Sequence, residues 1–360
     1  MPISLDAEQT KNVKQIIAKL GSRISPNQLA FLLKRHLKIA VTAEQAGELL
    51  FNQPKPETGM KSLQKEARPK DLRAACMDII NEVKETLREE GVHKLDNIVQ
   101  GDLSALLFLS DLHLGEKVEI NETEVFNLEI ATERLGQTVS NFIIAPELDG
   151  YEVEEAIVIL GGDIIDGEMI YPAHAFETES HVFNQVKDAT SIIWTQLSRI
   201  AEVFPVVKVY CVPGNHGRSS KLHHQMSNWD NVLYYGLQLM ANMAKVNIEV
   251  HTPSQMWMDF KVRNWTVHLR HIGVTQAVTA GPAKKVLTWM ENHNADLMFY
   301  GHFHSPELYS MGHRRVFKNG ALPPMNDFAE NLGFQEGAGQ WMLGITDKDS
   351  VAFAKILLPE

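Results

Sequence analysis

The chain has 360 residues, 44% of them hydrophobic, with a net charge of −11 and two cysteines, Cys76 and Cys211. That length suits one large domain with a smaller one, and the cysteine usage excludes a disulfide scaffold and suits a reducing cytoplasm. No apolar run nears the ~20 residues that span a bilayer, and Met1 to Asp6 lacks the charged and apolar regions of a signal peptide. The charge is uneven. Residues 1–73 carry 13 Lys and Arg against 7 Asp and Glu, a net of +6; the rest carries 21 against 38, a net of −17.

Residues 1–52 read as a helical domain. Residues 7–20 are periodic and stop at Gly21. Ser25-Pro26-Asn27-Gln28 and Thr42-Ala43-Glu44-Gln45 are capping boxes that open helices to about Leu37 and Phe51. Lys34, Arg35, His36 and Lys38 gather at the end of the middle helix. Three short helices with tight turns allow two readings: a helix-turn-helix module contacting DNA or RNA, or a packing domain with a solvated basic face. Residues 53–100 hold a linker with Pro54, Pro56, Gly59 and Pro69. An amphipathic helix follows over residues 71–90, with Leu72, Cys76, Ile79, Ile80, Val83 and Leu87 on one face.

From residue 101 to 360 the pattern becomes strand, loop, helix. An apolar strand from Leu103 to Leu109 runs into Asp111 and His113. In an extended segment the i, i+2 spacing puts both side chains on one face. The punctuation recurs four times. Ile157 to Leu160 ends in Gly161-Gly162-Asp163-Ile164-Ile165-Asp166. Residues 206–212 end in Pro213-Gly214-Asn215-His216. Thr266 to Arg270 leads to His271-Ile272-Gly273. Leu297 to Tyr300 leads to Gly301-His302-Phe303-His304. Helix patterns lie at residues 128–142, 182–203, 229–244 and 283–293. Further strands are predicted at residues 246–250, 256–260, 340–345 and 351–358. Carboxylate, imidazole and amide donors collected at strand C-termini suit a divalent metal, and that edge is where open α/β sheets bind ligands.

The ordered set Asp-x-His, Gly-Asp-x-x-Asp, Gly-Asn-His, His, Gly-His-x-His, spread over residues 103–358, resembles the calcineurin-like metallophosphoesterase superfamily. The resemblance implies an α/β fold in four layers, an αββα sandwich of two facing sheets. It implies two divalent metal ions, manganese first, with iron or zinc as alternatives. Asp111, His113 and His304 would hold one ion. Asp163 would bridge, and Asn215, His271 and His302 would complete the second. Such a pair clamps phosphate oxygens and generates a bridging hydroxide for in-line attack on phosphorus. His216 would face the substrate as an acid for the leaving oxygen, with Asp166 fixing its tautomer.

Two departures refine this expectation. Many relatives carry Asp or Glu after Gly-Asn-His, where this chain has Gly217. Ser/Thr protein phosphatases continue Gly-Asp-x-x-Asp with Arg-Gly, where this chain has Gly167-Glu168. That points toward the nuclease and phosphodiesterase branch, of phage or bacterial type. His268 competes with His271, which is preferred for its place at the strand end. Arg218 is either a phosphate contact or a surface residue. The other histidines, His174 among them, are read as structural or exposed, with His223 and His224 as candidates to line the substrate groove. The expected function is hydrolysis of phosphodiesters, with nucleic acid as substrate and as partner of the basic N-terminal helices. The alternatives are a phosphatase or phosphodiesterase for a small nucleotide or phosphoprotein, and a DNA-binding regulator with a vestigial site.

Overall fold

In this computed structural model the described residues are 101–358, apart from 121–122, 149, 171–173, 177, 221, 273–281 and 325–338. The predicted N-terminal helices, the linker and the helix over residues 71–90 lie outside them.

The six-stranded sheet is built on β1 (Leu103–Leu109), β4 (Val153–Leu160), β5 (Val207–Cys211) and β6 (Ile248–His251), which run parallel in that order. On the other side of β1 lie β12 (Gln340–Ile345) and β13 (Phe353–Leu357), both paired antiparallel. The five-stranded sheet has β8 (Trp265–His271), β9 (Leu297–Gly301) and β11 (Arg314–Lys318) parallel at its centre. Its antiparallel edges are β7 (Trp257–Val262) and β10 (Glu307–Met311). A small hairpin joins β2 (Val118–Ile120) to β3 (Thr123–Phe126).

The two sheets meet face to face. Leu106 and Phe108 of β1, Ile157 and Ile159 of β4, and Trp341 and Leu343 of β12 form one buried cluster with Phe260, Val267, Leu269, Leu297, Phe299 and Phe317 of the second sheet. Phe299 meets Phe108 edge-on at 5.3 Å and stacks on Phe317 at 5.0 Å, the offset and T-shaped arrangements that aromatic quadrupoles favour. Every residue of β1 is buried. Both faces of that strand are therefore covered, as in parallel sheets flanked by helices.

The helices supply the outer layers. They are α1 (Leu128–Ile143), α2 (Val182–Ala201) and α3 (Trp229–Ala244), followed by α4 (Pro282–Asn292). Val286 and Met290 of α4 pack on Met298, Tyr300 and Val316, the outer face of the second sheet. Asn127 caps α1 by accepting from Ile130 N, and Asn228 caps α3 by accepting from Asp230 N, each satisfying an amide that the first turn leaves unpaired. This is the αββα arrangement expected from the motifs. None of the described helices is long and apolar enough to cross a membrane.

Predicted and observed boundaries agree within a few residues for the buried elements. Two hairpins had no sequence signal. β10 is mostly exposed, and β2 has three residues, so neither carries the apolar alternation that marks a half-buried strand.

Candidate metal centre

The strands β1, β4, β5, β8 and β9 bring their C-terminal ends to one edge, and each delivers a predicted residue there. Asp111 and His113 do converge, but not by sharing a strand face. Both lie in the loop after β1 with left-handed backbone, φ 54° and 45°, as do Asp163 (51°), His302 (99°) and His304 (53°). Non-glycine residues in that region cost ~1–3 kcal/mol each and persist only where the surroundings over-determine them. Hydrogen bonds between the loops do so here. Leu112 N and His113 N donate to the Asp163 carbonyl at 2.9 and 3.1 Å. His302 N donates to Asp111 Oδ1 at 2.8 Å, and His216 N to Asp163 Oδ1 at 2.7 Å.

Two groups of donors result. In the first, His113 Nε2 and His304 Nε2 face each other at 3.2 Å, and His304 Nε2 lies 3.4 Å from Asp111 Oδ1. In the second, His271 Nε2 lies 3.0 Å from Asp163 Oδ2, and His302 joins them. The second group holds three buried atoms with no hydrogen-bond partner among the described residues: Asp163 Oδ2, Asn215 Oδ1 and His271 Nε2. Orphaned buried acceptors are costly. Asp163 Oδ2 and His271 Nε2 lie 3.0 Å apart and within 4.8 Å of a ligand atom of His302, spacings that suit ligands around an ion with arms of about 2.1 Å. The residues present therefore fit a divalent cation at each group.

Tautomers point the same way. His113 Nδ1 lies 3.1 Å from Asp166 Oδ1, and His271 Nδ1 donates to the Gly161 carbonyl at 2.9 Å. With Nδ1 carrying the proton, each ring aims an Nε2 lone pair into the site. Burial alone would push His271 down, but the Asp163 carboxylate overrides it and holds the ring at about 9. A cation among these donors would take that proton's place.

Asp166 is a hub for three imidazoles. Oδ1 accepts from His113 and from His216 Nδ1, both at 3.1 Å, and Oδ2 accepts from His174 Nε2 at 2.9 Å. Burial raises this carboxyl, and the three histidine hydrogen bonds more than offset that, holding it well below the ordinary carboxylate range. Burial likewise lowers His216, yet the Asp163 and Asp166 carboxylates lift it to about 9. In the absence of a cation that shift favours the imidazolium form of His216 at neutral pH. Its side chain is 18% exposed and that of His304 is 20%, whereas Asp111, His113, Asp163 and His271 are buried. The centre opens on the side of His216 and His304.

All nine predicted residues gather at this edge. His268 does not join them. It is on the outer face of β8 with Asp259 and His293, at 2.6 and 2.7 Å from the Asp259 oxygens to the two Nδ1 atoms. Those are hydrogen-bond lengths. Arg270 Nε also donates to His268 Nε2 at 3.1 Å, which fixes the Nδ1–H tautomer and leaves no lone pair toward Asp259. Three residues beside the site are not among the predicted site residues. His174 joins Asp166, as above. Asp230 accepts from Asp163 N and Gly214 N. Asn319, buried, donates to Phe108 O and Ser110 Oγ behind Asp111.

The family model for calcineurin-like phosphoesterases matches residues 105–306. The chain belongs to that family. Its members are metal-dependent phosphoesterases, and the donor groups of this calcineurin-like phosphoesterase lie inside the matched span. None of the curated proteins matches the chain. Among solved structures it is similar to Vps29 from Entamoeba histolytica in complex with zinc, at 11% identity over 70% of this chain and 98% of that one, with a TM-score of 0.32. A hypothetical protein from Pyrococcus horikoshii gives 10% identity over 71% and 88%, with a TM-score of 0.37. A predicted phosphoesterase from Streptococcus pneumoniae gives 11% over 72% and 98%, with a TM-score of 0.28.

Proposed function

We propose that the protein is a dinuclear phosphodiesterase acting on nucleic acid in the cytoplasm, with manganese as its working metal. The observation that carries the two-ion reading is the pair of adjacent groups, Asp111 with His113 and His304, and Asp163 with His271 and His302, each with its ligand atoms within 4.8 Å of one another. Asp111, His113 and His304 hold one ion, Asn215, His271 and His302 the other, and Asp163 is shared. Bound there, the ions supply Lewis acidity toward phosphate oxygens and activate a water. The protein's own groups do the rest. Asp166 fixes His216 with its Nδ1 proton shared between the Asp166 carbonyl at 2.8 Å and carboxylate Oδ1 at 3.1 Å, and the exposed edge of the imidazolium meets the leaving oxygen. Arg218, whose Nε donates to the Asn215 carbonyl at 3.0 Å, is held beside the centre, where its guanidinium contacts a phosphate oxygen.

Two features favour a diester over a phosphoprotein. The Arg that protein phosphatases place after the second Asp cannot be accommodated here. Gly167 has φ +75°, and a Cβ on it would lie 2.2 Å from the His216 carbonyl. The basic segment of residues 1–73 also supplies the charge that a polyanionic backbone attracts.

Activity should disappear with a chelator and return on adding Mn²⁺. With Mn²⁺ present, a chromogenic diester and single- or double-stranded DNA should be turned over faster than a chromogenic monoester. A clear preference for the monoester, with DNA left intact, would remove the nucleic-acid reading. For the basic segment, replacing Lys34, Arg35 and Lys38 by Glu should weaken DNA binding and flatten its salt dependence by up to about 0.9 in log–log slope per lost phosphate contact. Unchanged affinity and slope would take the N-terminal segment out of substrate binding.

A further inference from the structure

Gly217 follows His216 in the Gly-Asn-His loop, and the first turn of α3 packs against the loop there. A Cβ at Gly217 would lie 2.3 Å from Asn228 Oδ1 and 3.0 Å from Asp230 N. The space beside the loop is filled from outside it. Asn228 Nδ2 donates to the Gly214 carbonyl at 2.7 Å, and Trp229 N donates to the Gly217 carbonyl. Asp230 Oδ2 accepts from Gly214 N at 2.9 Å and from Asp163 N at 3.1 Å. The Asp230 side chain is fully buried, and no Lys or Arg neutralises it among its hydrogen bonds. One carboxylate oxygen therefore joins two backbones that are not neighbours in sequence: the loop after β4, which carries Asp163, and the loop after β5, which carries Asn215.

We propose that Asp230 is a positioning residue of the metal centre, its carboxylate fixing from α3 the separation between the loops that carry Asp163 and Asn215. This rests on the two-ion reading above. The two donors must approach one cation from different loops, and a displacement of a few tenths of an ångström at either backbone would misplace a ligand atom. Groups that hold ligands in place in this way typically change metal affinity about 10–100-fold when removed. The effect should fall most on the ion that would share Asp163 with Asn215, His271 and His302, since Asp230 holds the backbone beside two of its donors, and less on the one at Asp111, His113 and His304, which meets the clamp only through Asp163.

The test compares Asp230→Ala with Asp230→Asn in the full-length protein. Asp230 Oδ1 has no hydrogen-bond partner among the described residues, so the Asn amide nitrogen can take its place while the carbonyl keeps both amide bonds. Titration with Mn²⁺ by calorimetry should show one binding step weakened about 10–100-fold in Asp230→Ala and restored to within about threefold in Asp230→Asn. Amide exchange measured without metal should quicken at Asp163 and Gly214 in Asp230→Ala alone. A folded Asp230→Ala with wild-type affinity and protected amides overturns the proposal, as does Asp230→Asn binding as weakly as Asp230→Ala. If Asp230→Ala does not fold, Asp230→Asn decides: wild-type affinity with both amides protected supports the clamp, and loss of either overturns it. Should the wild type bind no divalent ion, the two-ion reading falls, while the amide-exchange comparison still judges the clamp.

Discussion

Asp163→Ala is expected to lose both metal and turnover. Metal analysis of the purified variant should find less divalent metal than in the wild type, and hydrolysis should fall to background at any Mn²⁺ concentration the protein tolerates. The expectation follows from how much meets at this side chain. Oδ2 lies 3.0 Å from His271 Nε2 without a hydrogen bond, and Oδ1 accepts from His216 N. The carboxylate is also the charge that lifts both His271 and His216 against their burial. Removing it leaves His271 with only the weaker influence of Asp111 and takes the shared carboxylate from beside His271 and His302. The backbone of residue 163 keeps its own bonds to Leu112, His113 and Asp230, so the loops should stay in place and the variant should fold. Normal metal content in folded Asp163→Ala would refute the shared carboxylate.

His216→Ala should behave in the opposite way toward metal. His216 belongs to neither donor group, and its Nδ1 is turned to Asp166. The variant should keep both ions and lose turnover by about 10²–10⁴-fold on DNA, the range for losing a general acid or base. The leaving group then separates acid catalysis from simple damage to the site. A sugar alkoxide needs a proton as it departs, whereas p-nitrophenolate does not. The loss on a p-nitrophenyl diester should therefore be much smaller than on DNA. Equal losses on the two substrates would show that His216 acts on the phosphate charge rather than on the leaving oxygen. The sign of the pH effect is fixed as well. An acid is useful while protonated, so wild-type turnover of DNA should fall as pH rises through the His216 pKa, and His216→Ala should lack that alkaline limb. Bound cations repel the imidazolium, placing the limb below the value of about 9 set by the protein's own groups.

The resemblance to a two-metal phosphoesterase was legible because each motif is local. A buried strand announces itself by a short apolar run, and the ligand types follow within a few residues of its end. Helix caps are equally local: residues 229–244 were predicted as the third helix, and α3 occupies that span. Other features of the site depended on what another element placed nearby. His174 looked like any surface histidine until the chain folded it onto Asp166. Asp230 lies in the first turn of α3, a place where an acid is favoured by the helix dipole alone. Only the packing of α3 against the loops after β4 and β5 shows that its carboxylate joins them.

The sequence alone determined the order of the five ligand-bearing loops, the strands that carry them and the family to which they belong, because these depend on spacing along one chain. The tertiary structure decided which lone pairs meet. It turned His271 inward and left His268 on the opposite face of the same strand, since residues three apart on a strand point to opposite sides. It also set Asp111, His113, Asp163, His302 and His304 in left-handed backbone, a conformation that none of these residues favours by itself and that bonds between distant loops impose. A cation is held by atoms a few ångströms apart that belong to residues far apart in the chain, and only the folded packing brings those atoms together.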